Sequence, residues 1–184
     1  DNCSDNSEVM FQGDLDVNVM SVTNVDTIGR DQAFSIITEK YATIKDLDAY
    51  VFLDAKYYVN ADFLEKVNDS LQKEDVLTGA TTLICNSDLT LLDNIKYSYN
   101  LYKNNFLSKA RDFLGFSNLV NSDILAMKKS VIDEIGSLNF KNTNEELKYT
   151  VELSNINVKT GFNPDLKIYI PVAQYDCKIP SLSK

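Results

Sequence analysis

Apolar residues recur along the chain with two different spacings. A nearly continuous apolar run from Ala49 to Leu53 ends at Asp54, as expected of a strand buried on both faces of a parallel sheet. The segment from Ala33 to Tyr41 instead carries its apolar residues at helical spacing. Together the two patterns predict strands over 16–22, 49–53, 76–84, 118–127 and 165–170, and helices over 7–12, 33–41, 61–71, 91–114, 130–136 and from 144 onward.

The alternation of strands and helices predicts an α/β fold with a mainly parallel central sheet. The length of 184 residues, with 44% hydrophobic and 24% charged residues, is typical of one folded domain spanning 1–184. The polar run from Asp1 to Ser7 has the chemistry of a turn followed by a helix N-cap. We therefore expect an amino-terminally truncated domain whose first strand precedes Asp1.

Charge and composition narrow the classes of function. The formal net charge of -9 argues against a nucleic-acid partner, because such interfaces draw most of their affinity from clustered Lys and Arg. The sequence contains no histidine, which excludes Ser-His-Asp and Cys-His nucleophiles, His-ligated zinc and a histidine general base. Any acid–base chemistry therefore falls to carboxylates.

Cysteine usage and hydropathy indicate the compartment. Cys3, Cys85 and Cys177 are odd in number and far apart, which suits reduced thiols better than a disulfide framework. No stretch approaches the roughly 20 consecutive apolar residues of a membrane span, and no signal peptide opens the chain. We expect a soluble, cytoplasmic chain with no membrane span.

Acidic residues fall at or near the predicted ends of strands. In open α/β sheets, ligands bind beyond the carboxyl ends of the strands. Asp1, Asp54 and the adjacent Glu145 and Glu146 occupy such places. Taken singly, each also suits a turn or a helix cap, and this alternative stays open.

Six segments follow one another in a characteristic order. They are Asp1-Asn2-Cys3-Ser4-Asp5-Asn6-Ser7, Gly29-Arg30 with Ala33-Phe34, Val51-Phe52-Leu53-Asp54-Ala55-Lys56, Ala110-Arg111 with Leu114-Gly115 and Asn121-Ser122-Asp123, Thr143-Asn144-Glu145-Glu146-Leu147, and Gly161-Phe162-Asn163-Pro164-Asp165. In this order, over nearly the whole chain, the sequence resembles family 2 of the glycosyltransferases, in its polysaccharide-synthase branch.

The resemblance implies a single-domain, Rossmann-like nucleotide-diphospho-sugar transferase fold of the GT-A type. It implies inverting transfer of a sugar from a UDP-sugar to a hydroxyl acceptor, glycan or lipid-linked, in cell-surface polysaccharide or glycolipid synthesis at the inner face of the membrane. It assigns Asp1, Arg30, Asp54 and Lys56 to nucleotide-sugar binding, Glu146 to catalysis as the base, and Ser122, Asp123 and Glu145 to the acceptor side.

The chain departs from the family's motifs at two functional positions. Lys56 replaces a second aspartate that helps hold Mg²⁺ or Mn²⁺, so Asp54 remains as the candidate metal ligand. Lys56 is then expected either to neutralise the diphosphate itself or to be a solvated residue of a decayed site. Glu146 keeps a carboxylate at the base position but is one methylene longer than the usual aspartate.

Two functions therefore stay open. One is an active transferase, and the other is a pseudo-transferase that keeps the fold as a binding or scaffolding module. Processive polymer synthesis is disfavoured because the Q-x-x-R-W motif is missing after Ile170. A dinucleotide-binding oxidoreductase is also disfavoured, because no G-x-G-x-x-G follows a strand. The direction of the Lys56 side chain, toward Asp54 and Glu146 or toward solvent, is expected to discriminate between the active transferase and the pseudo-transferase.

Overall fold

The computed structural model describes residues 30–41, 47–54, 56–85, 89–136 and 143–175, with side chains from 36 in the first range and from 146 in the last. In chain order the described elements are α1 Arg30–Tyr41, β1 Ala49–Leu53, β2 Tyr58–Val59, α2 Phe63–Leu71, β3 Val76–Ile84, α3 Leu91–Tyr102, a π-helical segment Lys103–Ser108, α4 Lys109–Phe113, β4 Ile124–Lys128, α5 Lys129–Ile135, α6 Thr143–Asn155, β5 Thr160–Pro171 and a 3₁₀ turn Val172–Gln174. The predicted α/β class is confirmed, and the predictions for 7–12 and 16–22 lie outside the described residues.

The five described strands form one mixed sheet in the order β1-β4-β3-β5-β2. Of the described pairings, β3 with β5 is parallel, whereas β1 with β4, β3 with β4, and β2 with β5 are antiparallel. The prediction of a mainly parallel sheet is therefore wrong for these strands. The physical reason is that a strand buried on both faces has the same apolar pattern whichever way its neighbours run.

Helices cover both faces of this sheet, and β4 shows it most clearly. Ile124 and Ala126 of β4 pack in a core cluster with α2, which contributes Phe63, Val67 and Leu71. The intervening Leu125 and Met127 pack on the opposite face, in a cluster with Val131 and Ile132 of α5 and Tyr149 and Leu153 of α6. Side chains that alternate across a strand explain why both faces are apolar.

Gly79 marks a bend in the central strand β3. The β3–β5 register shifts between Gly79 and Ala80, and β4 pairs with β3 only as far as Thr78. A Cβ at Gly79 would lie 2.2 Å from the carbonyl oxygen of Leu166 and 2.8 Å from Cδ1 of Ile124, so only glycine fits this approach. Beyond the bend, residues 80–84 continue with β5 alone among the described strands.

Two predicted elements differ from the structure in their extent. The helix predicted over 91–114 is broken by the π-helical segment, where Asn104 Nδ2 donates to the carbonyl oxygen of Thr81 at 2.6 Å. The strand predicted over 118–127 begins only at Ile124, because the N–H groups of Val120 and Ser122 donate to side chains of α6 instead of continuing the ladder of β4. Both differences arise from long-range hydrogen bonds that local patterning does not report.

The strands predicted over 49–53 and 76–84 are confirmed in extent, and the strand predicted over 165–170 is part of the longer β5. The expectation that 49–53 is buried on both faces is wrong, because β1 lies at the end of the described strand order and Val51 is 37% exposed. Within the described ranges, no helix combines the length and the apolarity that crossing a bilayer requires.

Candidate functional site

Asp54 and Lys56 form a tight turn directly after β1. Oδ1 of Asp54 accepts from the backbone N–H of Lys56 at 3.1 Å, and the carbonyl oxygen of Asp54 accepts from the N–H of Tyr57 at 3.1 Å. The turn forms here because a short carboxylate readily captures the N–H two residues further on. Nζ of Lys56 lies 3.7 Å from Oδ2 of Asp54, so the Lys56 side chain is directed back toward Asp54.

Both side chains of this ion pair stay in contact with solvent. The side chain of Asp54 is 28% exposed and that of Lys56 is 31% exposed. Nζ of Lys56 also lies 5.3 Å from the ring centre of the buried Tyr57. The turn therefore presents an accessible carboxylate and ammonium together, as binding a charged ligand requires.

Glu146 and Ser122 form the second part of the site. One carboxylate oxygen of Glu146, Oε1, accepts from the backbone N–H of Ser122 at 3.0 Å and from its hydroxyl at 2.6 Å. One helical turn further along α6, the hydroxyl of Thr150 donates to the carbonyl oxygen of Glu146 and accepts from the N–H of Val120. The segment before β4 is thus bound to α6 at two points.

The pairing of β1 with β4 brings the two parts of the site to the same end of these adjacent strands. Leu53 pairs with Ile124 in antiparallel register, so the carboxyl end of β1 lies beside the amino end of β4. Extending the register by one residue sets Asp54 opposite Asp123, whose N–H is held by Oδ1 of Asn121. We call Asp54, Lys56, Ser122, Asp123 and Glu146 the strand-end site.

The charges of the strand-end site bear on whether it suits a cation. The ammonium of Lys56 beside Asp54 reduces the repulsion between the neighbouring carboxylates of the site. It also occupies the position near Oδ2 of Asp54 that a bound metal cation would take. Among the described residues, no group of three or more carboxylates and thiols is arranged to hold a metal ion. At the described part of the site, Asp54 therefore has an ammonium beside it where a hard divalent cation such as Mg²⁺ or Mn²⁺ would need further oxygen ligands.

The remaining predicted site residues are placed less completely. Arg30 is the first residue of α1, and Glu145 lies in the first turn of α6 next to Glu146, but their side chains lie outside the described ones. Asp1 lies outside the described residues altogether. Their proposed roles stay predictions.

Two residues that support the site were not predicted to do so. Arg111 donates through Nε and Nη2 to the carbonyl oxygen of Ser117, at 2.9 and 2.8 Å, which closes the loop that leads into 118–123. Arg111 also lines a small cavity of about 60 Å³ beside Glu146. Thr150 could have been found from the sequence, since its spacing of four residues places it on the same helical face as Glu146.

No protein-family model matches the sequence, and no curated protein matches it. The function is therefore argued from the residues and their geometry.

Proposed function

We propose that this chain is a nucleotide-diphospho-sugar-binding domain of the family 2 glycosyltransferase type. One observation carries the proposal: residues from three separate segments, all singled out by the sequence, come together in the strand-end site. A Rossmann-like GT-A fold is part of the proposal, and the mixed sheet with helices on both faces is compatible with it.

More particularly, we propose inverting transfer of a sugar from a UDP-sugar to a hydroxyl of a glycan or lipid-linked acceptor. The acceptor hydroxyl loses its proton to Glu146, and its oxygen attacks the anomeric carbon opposite the leaving group. The new C–O bond forms as the bond to the diphosphate oxygen breaks, and UDP leaves with the bonding electrons. Asp1 and Arg30 would hold the nucleotide.

Lys56 takes the electrostatic part of this mechanism. Developing negative charge on the leaving diphosphate needs a nearby positive group, and the chain supplies an ammonium where a metal-dependent site would supply a cation. The ion pair with Asp54 holds this ammonium at the strand end before any ligand binds. Ser122 fixes the orientation of the Glu146 carboxylate in the same preorganised way.

A second candidate function is binding of the nucleotide sugar without turnover. The specific observation in its favour is that Oε1 of Glu146, the proposed base, already accepts two hydrogen bonds from Ser122. These contacts also suit residues that only stabilise the fold. A cytoplasmic setting at the inner face of a membrane belongs to both candidates, since the donor and acceptor are the same.

The test is calorimetric titration of the chain with UDP and a panel of UDP-sugars, with and without Mn²⁺, beside an assay of UDP release. We expect saturable binding without Mn²⁺, weakened about tenfold in Lys56→Gln by loss of one charged contact to phosphate. Lys66→Gln is the matched control, because Lys66 is paired with Asp62 on the surface of α2.

The outcomes separate the candidates. Metal-independent binding with slow UDP release supports the transferase, and binding with no release supports the binding module. If neither UDP nor any UDP-sugar binds, the strand-end site is not a donor site and both candidates fail.

A further inference from the structure

The helix α3 and the helical turns that follow it present an apolar surface to solvent. Leu91, Ile95, Tyr102 and Phe106 recur at intervals of four and seven residues, so they lie along one side of the helix. All four are exposed, with Leu91 79% and Phe106 65% exposed, and the rings of Tyr102 and Phe106 stack with their centres 5.6 Å apart. We call these four residues the outer stripe.

The side of this helical run that faces the sheet is polar. Of the described residues Leu91–Tyr102 that form α3, only Asn100 is buried. In the π-helical segment, Nδ2 of Asn104 donates to the carbonyl oxygen of Thr81 in β3 at 2.6 Å. A surface helix ordinarily turns its apolar side to the core and its polar side to water. Here the arrangement is reversed, and neither core cluster of the described residues includes a residue of the outer stripe.

A capped turn extends the apolar surface past the end of α4. The N–H of Phe116 donates to the carbonyl oxygen of Arg111 at 2.8 Å, and the N–H of Gly115 donates to that of Asp112 at 3.0 Å. This is the hydrogen-bonding pattern of a Schellman cap, and Gly115 has the positive φ, 77°, that such a cap requires. The cap presents three exposed apolar side chains, which we call the cap cluster: Phe113, Leu114 and Phe116.

The outer stripe and the cap cluster belong to one continuous helical run and the turn that ends it. Exposed apolar residues scattered singly over a surface need no explanation, but these are concentrated on one run, and Phe113 is 90% exposed. Concentrations of this kind mark surfaces that bind a partner or a membrane. The run is therefore an interaction surface.

The charges of the same run indicate which partner it fits. Residues 91–116 carry four basic residues and two acidic ones, in a chain whose formal net charge is -9. Lys96 and Lys103 directly follow Ile95 and Tyr102 of the outer stripe, and they are seven residues apart. Both lysines therefore flank the stripe on the same side of the helix. Lysines beside an apolar, aromatic-rich face are typical of helices that lie in the interface of a membrane.

A second copy of the chain is a poorer match for this surface. An isologous contact would set the basic run against its own copy, whose net charge is also positive, so the lysines would gain no complementary charge. A bilayer that contains anionic lipids meets both requirements. Its acyl boundary takes up the apolar side chains, and its headgroups attract the lysines.

We propose that the outer stripe and the cap cluster dock the chain on the surface of a bilayer containing anionic lipids, with Lys96 and Lys103 at the level of the headgroups. This goes beyond the proposed function, because docking requires neither the strand-end site nor turnover. Lys103 also lines the small cavity beside Glu146. If the proposed function holds, docking would therefore bring a lipid-linked acceptor close to the proposed base.

The experiment is flotation of the chain with vesicles of phosphatidylcholine alone and with vesicles of equal parts phosphatidylcholine and phosphatidylglycerol. We expect saturable binding to the anionic vesicles, weakened about tenfold or more on neutral vesicles or in high salt. The double variant Phe106→Ser/Phe113→Ser should bind about tenfold or more weakly, because two exposed rings no longer enter the bilayer. The matched control is Leu64→Ser/Leu147→Ser, which changes two exposed leucines on α2 and α6 and should bind as the wild type does.

A second pair of variants tests the flanking charges. Lys96→Gln/Lys103→Gln is expected to weaken binding to anionic vesicles about tenfold or more, because two attractive charges near the headgroups are lost. Lys66→Gln/Lys148→Gln removes the same charge from α2 and α6 and should leave binding unchanged.

Four outcomes would overturn the proposal. They are no binding to anionic vesicles, equal binding to neutral and anionic vesicles, equal weakening by the phenylalanine and leucine variants, and equal weakening by the two pairs of lysine substitutions. A dimer in sedimentation velocity that Phe106→Ser/Phe113→Ser dissociates, without vesicle binding, would assign the surface to a second copy instead. Vesicle binding by a chain that does not bind UDP would uphold the docking surface while the proposed function failed.

Discussion

The hydroxyl of Ser122 donates to Oε1 of Glu146 at 2.6 Å, and the backbone N–H of Ser122 donates to the same oxygen at 3.0 Å. This contact joins two segments that are 24 residues apart in sequence. It holds the start of β4 against α6 and sets the direction of the carboxylate proposed as the base. The same contact therefore serves both the packing of the fold and the candidate chemistry.

Ser122→Ala is expected to lower the free energy of unfolding by about 2 kcal/mol, because a buried hydrogen bond to a charged group is lost. Chemical denaturation measures the change. Ser98→Ala, at an exposed position of α3, is the control and should change stability little. Equal effects of the two substitutions would mean that the Ser122 hydroxyl contributes nothing specific.

Glu146→Gln separates the structural role of Glu146 from the catalytic one. The amide oxygen of glutamine can accept both hydrogen bonds from Ser122, so the melting temperature should stay close to that of the wild type. A carboxamide cannot take up the proton of the acceptor, so UDP release with acceptor should fall about 100-fold or more. Unchanged release would remove Glu146 from the proposed mechanism.

Lys56→Asp is expected to convert the strand-end site into a divalent-cation site. The substitution adds a carboxylate beside Asp54, which the extended register sets opposite Asp123, and it removes the ammonium from Oδ2 of Asp54. Calorimetry should find Mn²⁺ bound at least about tenfold more tightly than by the wild type. Lys66→Asp makes the same charge change beside Asp62 on the exposed face of α2, and should not reproduce the gain.

Gly79→Ala is expected to destabilise the protein by about 3 kcal/mol, since the new methyl group would overlap the backbone of β5 at the bend of β3. Gly161→Ala is the matched comparison. There the nearest atoms belong to the flexible side chain of Glu74, which can move aside. Thermal unfolding of the two variants measures the difference, and a larger loss for Gly161→Ala would contradict the packing argument.

Thr90→Ala tests the amino-terminal cap of α3. The hydroxyl of Thr90 accepts from the N–H of Asp93 at 3.1 Å and donates to Oδ2 of Asp93 at 2.7 Å. Losing this cap should cost about 1 kcal/mol of unfolding free energy near neutral pH. Thr90→Ser keeps the hydroxyl and should retain most of that stability.

The cost of Thr90→Ala is also expected to depend on pH. Hydrogen bonds from the hydroxyl and then the N–H of Thr90 lower the pKa of Asp93 below its usual range. A carboxylate with a lowered folded-state pKa stabilises the fold above its unfolded-state pKa, and this stabilisation is lost as the pH falls through the folded-state pKa. The difference in melting temperature between wild type and Thr90→Ala should therefore narrow below about pH 4. If the difference in melting temperature instead widened as the pH falls, the proposed contribution of the Asp93 carboxylate would be wrong.

The candidate site was only partly foreseeable from the sequence. Asp54 and Glu146 were chosen from their positions near predicted strand ends and from a family resemblance, whereas Lys56, Ser122 and Asp123 were chosen from the resemblance alone. Their convergence depends on the antiparallel pairing of Leu53 with Ile124, and the apolar pattern of β1 does not encode that direction. The supporting contacts of Arg111 depend on a loop closure that patterning does not reveal.

The sequence by itself determined where the strands 49–53 and 76–84 run, because apolar runs of this length mark strands. Tertiary structure alone decided the order and direction of the strands. It also decided the π-helical segment at Asn104 and the hydrogen bond from Ser122 to Glu146. Those features depend on pairing between distant segments, whose free energy becomes available only when the sheet and its helices assemble together.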